Sequence, residues 1–177
     1  MKLIILDRDG VINQDSIHYI KSPDELIFIP GSCEAIARLT KVGFTVAVAT
    51  NQSGIARGYY DEAQLEAIHA KMQAGVTAVG GCISLIRHCP HMPEAGCACR
   101  KPQPGMLQAI SKQFDCDLKN VFFIGDRVSD IQAAEAAGAI PIMVMSPMTD
   151  RVGLAEYPHV PVYTSLAHCV DDLIALK

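Results

Sequence analysis

Five short apolar runs, at residues 3–6, 44–49, 83–86, 121–124 and 140–145, set the tightest limit on what this chain can fold into. Each is nearly continuous. A strand with one wet face alternates apolar and polar residues, whereas a continuous run belongs to a strand covered on both faces, as in a parallel sheet. Helical patterns fill the gaps. Ile36 and Leu39 recur at helical spacing within residues 34–42, and Pro104-Gly105 opens another helix. Asp61 and Gln64 have capping-box spacing, ahead of Leu65, Ile68, Met72, Val76 and Val79 on one face. Ser129 and Gln132 have the same spacing before an Ala-rich stretch that stops at Gly138, and a last helix is expected over residues 166–176. Strands alternating with helices predict an α/β fold: a three-layer, Rossmann-like parallel sheet flanked by helices.

Composition narrows the classes. The 177 residues suit a single domain, 1–177, and 50% hydrophobic residues without tryptophan give an aliphatic core that needs no disulfides. A net charge of −4 speaks against nucleic-acid binding. The run at residues 3–6 is too short for a secretory segment, and no stretch approaches the ~20 apolar residues of a membrane span. The expectation is a cytoplasmic monomer with no membrane or nucleic-acid partner. In that compartment seven cysteines stay reduced, and a dense Cys/His group reads as metal before disulfide.

In open parallel sheets ligands bind beyond the carboxyl ends of the strands. The first run ends in Asp7-Arg8-Asp9-Gly10: two carboxylates two residues apart, fit either for nucleophile and acid/base work around a hard cation or for an ordinary solvated turn. The second ends in Thr50-Asn51-Gln52-Ser53-Gly54, a phosphate cradle or a polar turn. The fourth ends in Gly125-Asp126-Arg127-Val128-Ser129-Asp130. Asp126 is placed for a cation, and Asp130 is either a ligand or a helix-start carboxylate supporting it.

The ordered set Asp-x-Asp-Gly, strand-end Thr, Lys and Gly-Asp-x-x-x-Asp resembles the haloacid dehalogenase (HAD) superfamily of phosphatases, over Asp7 to Asp130. The resemblance implies Asp7 as nucleophile, Asp9 as acid/base, and Thr50 and Lys101 as phosphoryl-holding groups. It implies Mg²⁺ on Asp126, the Asp7 carboxylate and the Asp9 carbonyl. Asp9 must be protonated to act as an acid; Asp7 beside it is expected to raise its pKa, while bound Mg²⁺ works the other way. No segment is long enough for a separate cap domain, so the loop at 11–30 is expected to select substrate.

The stretch 88–102, HCPHMPEAGCACRKP, supplies Cys89, His91, Cys97 and Cys99, four ligands suited to a closed tetrahedral, structural Zn²⁺ site. The alternative is a surface loop with free thiols. Together with Asp-Arg-Asp-Gly, Thr50 to Gly58 and Pro104-Gly105-Met106, this loop resembles the zinc-containing D-glycero-D-manno-heptose-1,7-bisphosphate 7-phosphatases, which serve lipopolysaccharide or related glycan synthesis. That likeness implies a small phosphorylated sugar as substrate. It places Arg100 as a selecting cation, with Asn51, Gln52, Ser53, Asp15, Tyr19 and Arg127 as further substrate contacts. Histidinol-phosphate phosphatases share the zinc loop and are the nearest alternative. A phospho-acceptor signalling domain is a more distant one, lacking both the Asp-x-Asp spacing and the zinc loop.

Overall fold

The computed structural model of the chain describes residues 1–176. Strands β1 (Lys2–Leu6), β2 (Phe44–Asn51), β3 (Ile83–Cys89), β4 (Phe122–Gly125), β5 (Ile140–Val144) and β6 (Val162–Tyr163) form one sheet. Its order is β3-β2-β1-β4-β5-β6 and every pairing is parallel. The helices are α1 (Ser32–Lys41), α2 (Glu62–Ala78), α3 (Gly105–Phe114), α4 (Val128–Ala137), α5 (Arg151–Leu154) and α6 (Leu166–Ala175).

The continuous apolar runs are explained by what covers them. Along β1, Ile4 and Leu6 pack with Ile36 and Leu39 of α1, Ile68 of α2 and Val170 of α6. Leu3 and Ile5 point the other way, toward Leu107 and Ile110 of α3 and Ala134 of α4. Each fully buried residue of this size contributes about 1.5–3 kcal/mol by leaving water. The layers are therefore helix, sheet, helix, as the sequence pattern predicts. The segment from Gly10 to Gly31 contains only the short 3₁₀ turn Pro23–Glu25.

The box at the start of α2 forms in both directions: the Gln64 N–H donates to Asp61 Oδ1 (2.8 Å) and the Asp61 N–H to Gln64 Oε1 (2.9 Å). Three details differ from the sequence pattern. Helix α4 begins at Val128, so Ser129 is inside it; its N-terminal hydrogen bonds come from Asp130, whose carboxylate accepts the Arg127 N–H. Val79 is exposed, because α2 ends one residue before it. Strand β6 went unforeseen: two residues on a sheet edge, with Val162 half exposed, leave no continuous apolar run to read.

The chain reverses direction across the sheet between β1 and β4, the point where such sheets open a crevice at their carboxyl edge. Asp7 and Asp126, each the first residue after its strand, meet there.

Candidate active site

The floor of this crevice is a buried acidic cluster. Carboxylate oxygens of Asp7, Asp126 and Asp130 lie within 4.8 Å of one another. Gly10 makes the approach possible: its φ of +84° turns the chain, and a Cβ there would sit 2.0 Å from Asp126 Oδ2. Lys101 reaches in from the loop after β3, with Nζ 2.9 Å from Asp7 Oδ1, 2.7 Å from Asp130 Oδ1 and donating to the Ala49 carbonyl at 3.0 Å. Burial alone would lower the pKa of this ammonium; the Asp130 and Asp7 carboxylates more than offset that and hold it charged. Burial, and then the neighbouring carboxylates, push the pKa of Asp7 well above the usual range despite Lys101. Burial and Asp130 likewise raise Asp126 to about 7.

Three carboxylates around one ammonium leave two formal negative charges, which suits a divalent cation. The oxygens say which residues are free to hold it. Asp130 Oδ2 accepts the Asp126 and Arg127 N–H groups (3.1 and 3.0 Å), and its Oδ1, though without a hydrogen bond, is neutralised by the Lys101 ammonium 2.7 Å away. Asp126 Oδ2 accepts the Ser146 hydroxyl (2.6 Å), but its Oδ1 is buried without a hydrogen-bond partner. Asp7 Oδ1 takes the Arg8 N–H (2.7 Å) and Lys101, leaving Oδ2. Asp7 and Asp126 therefore fit a Mg²⁺ ion, with Asp130 as the group that orients Lys101 and the turn carrying Asp126.

A prediction follows for the metal-free protein. Carboxylates whose pKa is raised by folding are best tolerated when protonated, so stability falls as pH rises from about 4, the unfolded carboxylate value, toward about 7. Magnesium then competes with fewer protons. Adding Mg²⁺ at 100 times its Kd is expected to stabilise zinc-replete protein by about 2.7 kcal/mol at pH 8, roughly 5–10 °C in melting temperature, and by clearly less at pH 6. Thermal melts at both pH values check this; equal shifts would contradict it.

Asp9 does not share the Asp7 environment. Its carboxylate accepts from Arg8 Nε (3.0 Å), Arg8 Nη2 (2.9 Å), Asn13 Nδ2 (2.9 Å) and Gln52 Nε2 (3.0 Å). Burial works to raise its pKa, but the Arg8 guanidinium and the two amides outweigh it and the net shift is downward. The raised Asp9 pKa anticipated from the motif is thus reversed, by the residue between the two acids. Arg8 is wholly buried, with Nη1 3.1 Å from His69 Nε2. Burial, then the nearby guanidinium, pushes His69 down to about 3, so it stays neutral.

The turn after β2 braces these groups. Gln52 Nε2 also donates to Thr50 Oγ1 (2.8 Å), and its Oε1 accepts the Tyr60 hydroxyl (2.5 Å). The Asn51 amide grips the Lys101 backbone twice, donating to its carbonyl and accepting from its N–H, both at 3.1 Å. Ser53 is buried and accepts from Arg57 Nε (3.3 Å). Asn51 and Gln52 thus hold neighbouring site groups in place. A cavity of about 600 Å³ opens above, lined among others by Asp7, Asp9, Ser53, Tyr19 and Arg100. Asp15 and Arg127 also line it, joined by a 2.8 Å ion pair. Thr50 lies beneath the lining, fully buried.

The zinc ligands converge as well. Ligand atoms of Cys89, His91, Cys97 and Cys99 lie within 4.8 Å of one another, and all seven cysteines are free thiols. His91 presents Nδ1, 3.3 Å from the sulfurs of Cys89 and Cys99. The backbone N–H of Arg100 bonds the Cys97 sulfur; burial opposes but does not prevent a fall in the Cys97 pKa to about 6. Burial, then the Cys99 hydrogen bond, pushes the neighbouring Cys89 up to about 12, so what suits Zn²⁺ is the convergence of four soft ligands, and four protein ligands make a structural site. His88 stands apart, paired with Glu62 at 2.9 Å.

Sequence reasoning missed Arg8, Asn13, Tyr60, His69, Ser146 and Thr149, whose hydroxyl donates to the Asp126 carbonyl at 2.6 Å. Ser146 and Thr149 follow β5, and the strand-end rule applied there would have found them.

Comparison with known proteins agrees with this geometry. The family described as HAD-hydrolase-like matches residues 98–173. A Pseudomonas putida protein named D-glycero-beta-D-manno-heptose-1,7-bisphosphate 7-phosphatase is 51% identical over 98% of this chain and 100% of its own length. A Bordetella bronchiseptica protein of the same name is 56% identical over 82% of each chain. A solved D,D-heptose 1,7-bisphosphate phosphatase from B. bronchiseptica, complexed with magnesium and phosphate, superimposes with a TM-score of 0.95 at 49% identity, covering 100% of both chains.

Proposed function

Since this chain belongs to the D-glycero-beta-D-manno-heptose-1,7-bisphosphate 7-phosphatases, HAD-like hydrolases, we propose that it removes the 7-phosphate of the beta anomer of that sugar through a covalent intermediate on Asp7. The observation that carries the mechanism is the convergence of Asp7, Lys101 and Asp126 at the sheet's switch point.

Asp7 attacks phosphorus, and the bond from phosphorus to the sugar O7 breaks. Asp9 gives its proton to the leaving alkoxide. Water then attacks the aspartyl phosphate, Asp9 takes the water's proton, and the acyl–phosphate P–O bond breaks to release phosphate and restore Asp7. Arg8 keeps Asp9 ionised in the ligand-free chain. A phosphate dianion arriving beside it favours the protonated form, so substrate binding brings the acid to its working state. Lys101 and the Thr50 hydroxyl hold phosphoryl oxygens, and Asp130 aims Lys101. Asp7 and Asp126, with the Asp9 carbonyl that the family resemblance adds, would hold Mg²⁺, which when bound would supply charge neutralisation on the transferring group. Cys89, His91, Cys97 and Cys99 would hold Zn²⁺, which when bound would fix the loop ahead of Arg100 and Lys101.

Arg100, Asp15, Tyr19, Ser53 and Arg127 line the cavity as substrate contacts. No helix among the described residues is long and apolar enough to cross a membrane.

The testing experiment is kcat/KM on a panel: both anomers of the heptose bisphosphate, histidinol phosphate and a 3′-phosphorylated oligonucleotide. The beta anomer is expected to rank first by at least about tenfold, the size of one good polar contact. Preference for histidinol phosphate would overturn the assignment.

A further inference from the structure

Asp9 is held at both carboxylate oxygens, and each grip is itself locked by a buried ring. Oδ1 accepts three N–H groups, from Arg8 Nε (3.0 Å), Arg8 Nη2 (2.9 Å) and Asn13 Nδ2 (2.9 Å). Oδ2 accepts one, from Gln52 Nε2 (3.0 Å). Oδ2 is therefore the oxygen left to carry the proton that goes to the leaving group.

The grip on Oδ1 depends on His69. Arg8 turns Nε and Nη2 to Asp9, and its Nη1 lies 3.1 Å from His69 Nε2. A guanidinium only donates, so the His69 ring accepts and is uncharged. Arg8 is wholly buried and His69 is buried within α2. Without that acceptor a buried N–H group is left unmatched, and the fork is free to tilt off Oδ1.

The grip on Oδ2 depends on Tyr60. Its hydroxyl donates to Gln52 Oε1 (2.5 Å), which keeps the amide nitrogen facing Asp9 Oδ2 and Thr50 Oγ1 (3.0 and 2.8 Å). With the amide turned over, Oε1 would face Asp9 and hold back the proton that the leaving group needs. The Tyr60 ring is wedged: it is buried, and a Cβ on Gly54 would fall 2.2 Å from it. Tyr60 stands just ahead of α2, so both rings come from one helix and its lead-in. Neither lines the cavity, so both act through the residues they hold.

We propose that His69 and Tyr60 are positioning residues for the general acid: His69 fixes the Arg8 fork on Asp9 Oδ1, Tyr60 fixes the Gln52 amide on Oδ2, and together they aim the proton-carrying oxygen at the leaving group. The inference rests on the phosphatase reading above and deepens it.

The test compares two esters of the same sugar. Heptose 1,7-bisphosphate releases an alkoxide that must be protonated as it leaves. Its 7-phosphorothiolate, with sulfur bridging C7 and phosphorus, releases a thiolate that needs no proton. Initial-rate kcat/KM, read from release of the sugar, covers only the steps in which Asp9 acts as an acid. His69→Leu and Tyr60→Phe should each lower the oxygen-to-sulfur ratio of kcat/KM by roughly 10–100-fold, part of the 10²–10⁴ that a placed acid supplies. His69→Gln should return the ratio toward wild type, because its amide oxygen accepts from Arg8. A fold defect lowers both esters together and leaves the ratio unmoved. Tyr60→Phe removes a single oxygen atom, which keeps the test readable if a His69 variant fails to fold. A ratio within twofold of wild type in Tyr60→Phe, or in a folded His69→Leu, overturns the proposal. A wild type inactive on the oxygen ester, or an Asp9→Asn variant that loses both esters equally, defeats instead the phosphatase reading on which it rests.

Discussion

Asp7→Asn should lower kcat by about 10⁴-fold or more, the scale seen when a covalent nucleophile is removed, while leaving the metal-free protein at least as stable as wild type. The second half follows from the electrostatics. Asp7 is buried against Asp126 and Asp130, and its raised pKa reports how poorly its charge is tolerated there. Asparagine keeps an oxygen for the Arg8 N–H and deletes one charge from the cluster. Lys101 retains Asp130 and the Ala49 carbonyl. Steady-state rates and thermal melts in magnesium-free buffer read the two effects separately. Turnover near the wild-type rate would remove Asp7 from the chemistry, and a collapse in melting temperature would show that it holds the fold instead.

The second large effect lies outside the acidic cluster. Cys99 is one residue before Arg100 and two before Lys101, and the loop closes onto α3 through the Gly105 N–H and the Ala98 carbonyl at 2.9 Å. A Cβ on Gly105 would meet that carbonyl at 2.2 Å, so the loop lies flat against the helix start. Structural zinc binding is worth on the order of 10 kcal/mol in small zinc domains, enough to fix this path. Cys99→Ser should therefore lose the metal, lower the melting temperature and reduce kcat/KM by roughly 10²–10³-fold, the scale of one misplaced phosphoryl-holding cation. Cys82→Ser is the control, since Cys82 is exposed and its sulfur lies near only Ser84. Zinc content by elemental analysis, melting and rate are measured on both variants. A zinc-free Cys99→Ser with full activity would separate the metal from Lys101.

The layers of the fold were legible because buried parallel strands write themselves as unbroken apolar runs. β6 was not, because two edge residues need no such run. The acids of the site were legible for a related reason: Asp7 and Asp126 stand directly after apolar strands, where chemistry can reach them. Arg8 was hidden because a cation in a polar turn ordinarily points to water. Here it folds under Asp9 and against His69, and no local pattern encodes that contact between residues 61 positions apart. Asn51 and Gln52 drew notice as part of a phosphate cradle and do line the cavity, while their amides also grip Lys101, Asp9 and Thr50, which only the folded return of the loop reveals.

The most direct test of the central claim is which phosphate leaves. Heptose 1,7-bisphosphate incubated with the protein and Mg²⁺ can be followed by phosphorus NMR. The sugar product should keep its anomeric phosphate, with the 7-phosphate resonance replaced by inorganic phosphate. Accumulation of heptose 7-phosphate, or a spectrum that does not change, would contradict it.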